Sequence, residues 1–242
     1  MQLLVSVVNE KEAKSAVDGG ADIVDVKNPL EGALGANFPY VIRRVRKCTP
    51  PHLPVSVAIG DAPNKPGATA LAALGAAVCN IQYVKVGIYG ISAPPQAVFL
   101  LKEVCRAVRE HDPDIKIIAA AYADAHRINS LPPLKAPAVA FEAEADGCMI
   151  DTAVKDGSSL FTHLGDDLLR AFVSNCRERK LLSALAGSLS EKDIPRVSAI
   201  GPDIVGFRTA ACMGDRIKGT VASEQVERLK KMISAIHPLN NI

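Results

Sequence analysis

Tryptophan is absent from this chain, and six Phe and four Tyr are its only large aromatics in 242 residues. Any sizeable core must therefore be aliphatic, and an Ala/Val/Ile/Leu-rich core suits parallel strands covered by helices. A dominant charge is missing too. Lys and Arg number 28 against 26 Asp and Glu, a net +2, which argues against the basic face of a nucleic-acid binder. No apolar stretch reaches the ~18 residues needed to span a membrane. The apolar run at residues 1–8 lacks a basic segment before it and is cut off by Asn9-Glu10-Lys11-Glu12, so it does not read as a secretory signal. A cytoplasmic protein is expected. The six cysteines (Cys48, Cys79, Cys105, Cys148, Cys176 and Cys212) form no CxxC pair and read as reduced core thiols. His52, His111, His126, His163 and His237 have no metal-ligand spacing, so neither a catalytic metal nor a cofactor is expected. Only His126 and His163 fall near a predicted mouth, and both read as surface residues.

What the chain does have is alternation. Short apolar runs at residues 3–8, 23–27, 54–59, 83–88, 115–121, 147–152, 181–187 and 204–208 are each followed by a helical or mixed segment. Residues 10–18, 95–111, 168–179 and 223–236 carry apolar positions at helical spacing, with Ser223 a plausible N-cap. The fifth unit is interrupted by Pro132, Pro133 and Pro137, which predicts a broken or displaced helix there. Strand–helix alternation implies parallel strands with right-handed crossovers. Eight units in this length predict one (β/α)8 TIM barrel over residues 1–242, with an open doubly wound sheet as the competitor.

Barrel strands alternate between inward and outward residues. In Ile23-Val24-Asp25-Val26-Lys27 the valines suit the helix layer, which turns Asp25 and Lys27 inward. The same parity turns Lys85 inward beside Gly87, while Asp151 and Arg208 end the sixth and eighth runs. Lys155 follows on the loop after Asp151. Active sites in this fold lie at the C-terminal strand ends, so these charges converge on one mouth. Internal salt bridges are the plain alternative, but buried pairs are weak devices for stability. A lysine among other cations and away from water can instead present a free amine to a carbonyl, with carboxylates moving protons. Loops after the seventh and eighth strands often bind phosphate. Here they offer Gly187-Ser188 and Gly206-Phe207-Arg208, with Gly214-Asp215-Arg216 beyond. The long loop 28–37, rich in small residues, is placed to fold over the mouth.

The string Asp25-Val26-Lys27-Asn28-Pro29-Leu30-Glu31-Gly32-Ala33-Leu34-Gly35-Ala36 resembles the signature of the (5-formylfuran-3-yl)methyl phosphate synthase (4-HFC-P synthase) family of methanofuran biosynthesis. Tyr83-Val84-Lys85-Val86-Gly87, Ile150-Asp151-Thr152-Ala153-Val154-Lys155-Asp156-Gly157 and Gly206-Phe207-Arg208 extend the resemblance along the chain. It implies a lyase that condenses two molecules of glyceraldehyde 3-phosphate to a phosphorylated furan aldehyde, with loss of phosphate and water. It further implies that Lys27 forms a Schiff base and Lys85 donates and accepts protons. Asp25, Asp151 and Lys155 match positions for proton transfer and orientation. Parity alone leaves both lysines eligible as the nucleophile. The partner expected is a small sugar phosphate, with no nucleic acid or membrane, and the barrel is expected to form a homo-oligomer. Two other readings compete. A decarboxylase barrel with an Asp-x-Lys-x-x-Asp motif would need an acid where Leu30 stands. A non-catalytic sugar-phosphate sensor would release its ligand unchanged.

Overall fold

The structure, a computed structural model, describes residues 1–61 and 63–236; His237 lies outside the described residues. Eight strands alternate with helices: β1 (Gln2–Val7), β2 (Ile23–Val26), β3 (Val55–Ala58), β4 (Tyr83–Gly87), β5 (Lys116–Tyr122), β6 (Gly147–Asp151), β7 (Leu182–Leu185) and β8 (Ile204–Phe207). They pair in parallel and in sequence order, and β8 returns to β1, closing a (β/α)8 barrel. All eight lie within two residues of the expected runs.

The helices are α1 (Glu10–Asp18), α2 (Pro39–Cys48), α3 (Pro66–Ala77), α4 (Pro94–Arg109), α5 (Ala136–Glu142), α6 (Leu160–His163), α7 (Asp166–Glu178), α8 (Ile194–Ile200) and α9 (Ser223–Ile236). Pro39, Pro66 and Pro94 each open a helix, where the missing N–H is harmless and the fixed φ is helical. Asn9 caps α1 by accepting the Glu12 N–H at 2.9 Å, as N-cap residues do. The fifth unit is broken as the prolines require: single turns at Ala125–Ile128 and Pro133–Lys135 precede the seven residues of α5. α9 spans the expected residues 223–236, with Ser223 as its first residue rather than the cap that precedes it. The helical pattern of the sequence does not specify α2, the uncharged α3 or the short α8.

Strand parity divides the core in two. Val5, Val7, Val24, Val26, Val84 and Val86 pack outward against the helices. Leu4, Ile23, Ile118, Ala120, Tyr122 and Met149 fill the barrel interior. Asp25 therefore shares the inward parity of Ile23, as expected. All six cysteines are free, and among the described residues no helix is long and apolar enough to cross a membrane.

Candidate active site

At the C-terminal strand ends a cleft of about 410 Å3 opens, lined by Lys27, Asp151, Lys155 and Arg208 together with Gly187, Ser188 and Gly206. Arg216 also reaches it. Asp25 and Lys85 do not line this cleft. They lie beneath it, 0% and 2% exposed, and Leu4 and Met149 separate the cleft from the internal cavity that Lys85 lines. The inward charges thus converge as the parity argument requires, but at two depths.

The three lysines differ in their partners. Lys85 Nζ stands 2.7 Å from Asp25 Oδ2, an oxygen that also accepts the Ser6 hydroxyl at 2.9 Å. The other oxygen, Asp25 Oδ1, is buried with no partner among the described residues. Lys155 Nζ donates to Asp151 Oδ1 at 2.7 Å and to Thr152 Oγ1 at 2.9 Å. Lys27 is looser: its Nζ donates to the Ala33 carbonyl at 3.2 Å, and its nearest carboxylate oxygen, Asp151 Oδ2, is 3.9 Å away. Burial lowers the Lys27 ammonium from 10.5 to about 8, with Asp151 pulling it back up and Lys85 and Lys155 pushing it down. For Asp151, burial pushes the carboxyl up, yet Lys155 and Lys27 outweigh that and hold it well below the usual carboxylate range. The arrangement puts a partly deprotonated amine beside a fully ionised carboxylate, a set suited to carbonyl addition and proton transfer.

The side of the cleft that follows β7 is built by backbone. Gly187 has φ +112 and Ser188 φ 51, so the chain turns sharply after β7. A Cβ at Gly187 would press on the Thr152 N–H at 3.1 Å, which explains glycine there. Arg208 reaches the cleft but is already engaged. It forms a buried ion pair with Glu12 of α1, donates to the Ser6 carbonyl at 3.1 Å, and donates through Nε to the Arg216 carbonyl at 3.1 Å. Arg216 sits on a hairpin formed by Cys212–Met213 and Thr220–Val221. Its side chain makes no ion pair among the described residues, only a 3.4 Å bond to the Gly32 carbonyl. It is therefore the more available guanidinium.

Several residues of the site escaped sequence reasoning. Glu12 looks like one more charge on a surface helix, yet it is 2% exposed and accepts from Val8 N–H as well as Arg208. Asp124 accepts the Ala153 and Val154 N–H groups at 2.7 and 2.9 Å and so fixes the loop that carries Lys155. Asp61 and Tyr122 hydrogen-bond each other at the mouth. No local pattern marks Asp61 or Asp124, whose partners are distant in sequence, and the Asn9-to-Glu12 helix start does not announce the pairing of Glu12 with Arg208. His126 is exposed and His163 half-buried; their rings stand 6.5 Å apart, and neither lines the cleft.

A family model described as 4-HFC-P synthase matches residues 3–230. The (5-formylfuran-3-yl)methyl phosphate synthase of Methanothermobacter thermautotrophicus is 49% identical over 236 residues, covering 97% of this chain and all of that protein. The protein of the same name from Methanocaldococcus jannaschii is 48% identical over 233 residues, 96% of this chain and 99% of its own. Among solved structures, KGPDC from Streptococcus mutans superposes with TM-score 0.66 at 13% identity, over 98% of each chain. A 3-hexulose-6-phosphate synthase gives 0.61 at 16%, over 95% of this chain and 99% of its own. At such identities these two structures speak for the barrel alone.

Proposed function

The chain belongs to the 4-HFC-P synthase family, and from that premise we propose that it condenses two molecules of glyceraldehyde 3-phosphate to (5-formylfuran-3-yl)methyl phosphate through a Schiff base on Lys27. It acts in this reading as a carbon–oxygen lyase that releases phosphate and water. The observation that carries the assignment of the nucleophile is the difference between the lysines. Lys85 and Lys155 each hold a carboxylate at 2.7 Å, whereas Lys27 stands 3.9 Å from its nearest one. With its ammonium lowered to about 8, roughly one Lys27 in ten is a free amine at pH 7, against roughly one in three thousand for an ordinary lysine.

The remaining residues take roles that follow from where they stand. The Lys27 amine adds to the substrate carbonyl; the Asp151–Lys155 pair moves protons as water leaves and the imine isomerises to its enamine. Asp25, with one oxygen free and Lys85 on the other, is suited to the same exchange from beneath. The turn at Gly187-Ser188, the small Gly206 and the guanidinium of Arg216 receive phosphate oxygens, with Arg208 holding the Arg216 backbone in place.

The test is to incubate the protein with glyceraldehyde 3-phosphate alone and analyse the products by mass spectrometry. A phosphorylated furan aldehyde is expected from the wild-type chain and none from Lys27→Arg. Triose phosphate returned unchanged by the wild-type chain overturns the proposal.

A further inference from the structure

The loop between β2 and α2 contains Gly32-Ala33-Leu34-Gly35-Ala36, and the chemistry above gives it no task. Its centre is sunk into the barrel mouth, with Ala33 and Leu34 buried in the interior cluster. Asp61, just beyond β3, holds it there. Asp61 Oδ2 accepts the Leu34 N–H at 2.9 Å, and Oδ1 accepts the Tyr122 hydroxyl. The Gly60 N–H donates back to the Leu34 carbonyl at 2.9 Å, so loop and strand end are tied in both directions. Tyr122, at the end of β5, is wholly buried. Burial, with the Asp61 carboxylate beside it, pushes its phenol well above the ordinary value, so it stays a hydrogen-bond donor.

Glycine makes room for this knot in the loop itself and on β4. Gly32 has φ +127, and a Cβ there would collide with Asp61 Oδ2; a Cβ on Gly87 of β4 would collide with the Tyr122 hydroxyl. A side chain at either position would have to displace the carboxylate or the phenol of the knot. The knot bears on the proposed chemistry because Ala33, the residue before Leu34, supplies the carbonyl that receives the Lys27 amine at 3.2 Å.

We propose that Asp61 is a positioning residue for Lys27: by pinning the 28–37 loop into the mouth it fixes the acceptor that aims the amine and keeps water from it. The inference rests on the reading of Lys27 as the Schiff-base lysine. The charged groups that act on Lys27 are Asp151 and Lys155 from β6 and its loop, Lys85 from β4 and Asp25 from its own strand. Losing a carboxylate can only lower a nearby ammonium, so a rise in the Lys27 midpoint on altering Asp61 reports lost cover rather than a lost charge.

The experiment is reductive trapping with glyceraldehyde 3-phosphate and borohydride as a function of pH, the Lys27 adduct being quantified by peptide mass spectrometry. It compares the wild-type chain with Asp61→Ala and Tyr122→Phe. Absence of a Lys27 adduct in the wild-type chain overturns the Schiff-base reading, and this inference with it. If the adduct forms, Asp61→Ala is expected to slow trapping about 10- to 100-fold at neutral pH, the penalty of a misplaced group. Its pH midpoint should rise by about one unit as water reaches the amine. Tyr122→Phe, which leaves Asp61 its bond to Leu34, should move both in the same direction by less. Wild-type trapping with an unmoved midpoint in folded Asp61→Ala overturns the positioning role and leaves Lys27 as nucleophile. The same result in Tyr122→Phe does so if the alanine variant does not fold.

Discussion

Replacing Lys27 with methionine is expected to make the protein more stable at neutral pH while removing the proposed nucleophile. Proton linkage sets the sign of the effect. Folding lowers the Lys27 ammonium from 10.5 to about 8 because burial disfavours its charge. Below pH 8 both folded and unfolded chains carry that proton, and the folded state bears the full penalty of holding a buried cation. Between 8 and 10.5 the unfolded chain binds more protons than the folded one, so wild-type stability rises with pH across this window. Above 10.5 both forms are neutral and the penalty is gone. A shift of this size corresponds to about 3 kcal/mol. Lys27→Met removes the charge at similar length and keeps an apolar stem in the same space. Its advantage should therefore be about 3 kcal/mol at pH 7 and shrink steadily as pH rises through the window. The chain has no tryptophan, so urea unfolding is best followed by far-ultraviolet circular dichroism, on both proteins at a series of pH values. A variant less stable than wild type at pH 7, or a difference that does not change with pH, would refute the reasoning, because it would mean that burial does not strain this lysine.

Glu12→Ala leaves the Arg208 guanidinium buried without its carboxylate, which should destabilise the fold by about 3–5 kcal/mol; a urea midpoint equal to wild type would show that the pair does not hold β8 to α1. Arg216→Ala removes the guanidinium that reaches the cleft without an ion-pair partner. The KM for glyceraldehyde 3-phosphate should rise about 10- to 100-fold, the worth of one or two charged hydrogen bonds, while stability stays within about 0.5 kcal/mol. Steady-state kinetics showing an unchanged KM would remove Arg216 from the phosphate site.

The barrel is legible in the sequence because its signal repeats. Valine at alternate positions of Ile23-Val24-Asp25-Val26-Lys27 can face only the helix layer, and that parity carries Asp25 and Lys27 inward without any knowledge of their partners. The interruption of α5 is legible for the same kind of reason, since Pro132, Pro133 and Pro137 forbid a continuous helix locally. What parity cannot give is depth. Lys85 and Lys27 share an inward direction, yet one is sealed against Asp25 beneath the cleft and the other lines it. Nor can it find Glu12, Asp61 or Asp124. Glu12 meets Arg208 across 196 residues of chain and Asp61 meets Tyr122 across 61. Single polar residues whose meaning lies in such distant contacts leave no period and no motif to read. Arg208 has the look of a phosphate ligand because it ends a strand at the right loop; its engagement with Glu12 is invisible in the same way.

The charges around the cleft match the proposed substrate. Five cations gather there or just beneath: Lys27, Lys85, Lys155, Arg208 and Arg216. Three carboxylates take three of them at close range, Asp25 with Lys85, Asp151 with Lys155 and Glu12 with Arg208. The two left over are Lys27 and Arg216, and they are not equivalent. Lys27 lies among like charges under the 28–37 loop, where desolvation favours the neutral amine. Arg216 is half-buried on the hairpin; burial lowers its guanidinium from the ordinary value and Asp151 pulls it back up, and an arginine keeps its charge at any working pH. A phosphorylated aldehyde presents the complement of that pair, a carbonyl for the amine and an anion for the guanidinium. The pairing of the other three cations is what makes the division possible. If Asp151 were absent, Lys155 would be a third unpaired cation in the same cleft, and a sugar phosphate could settle against it with its carbonyl out of reach of Lys27.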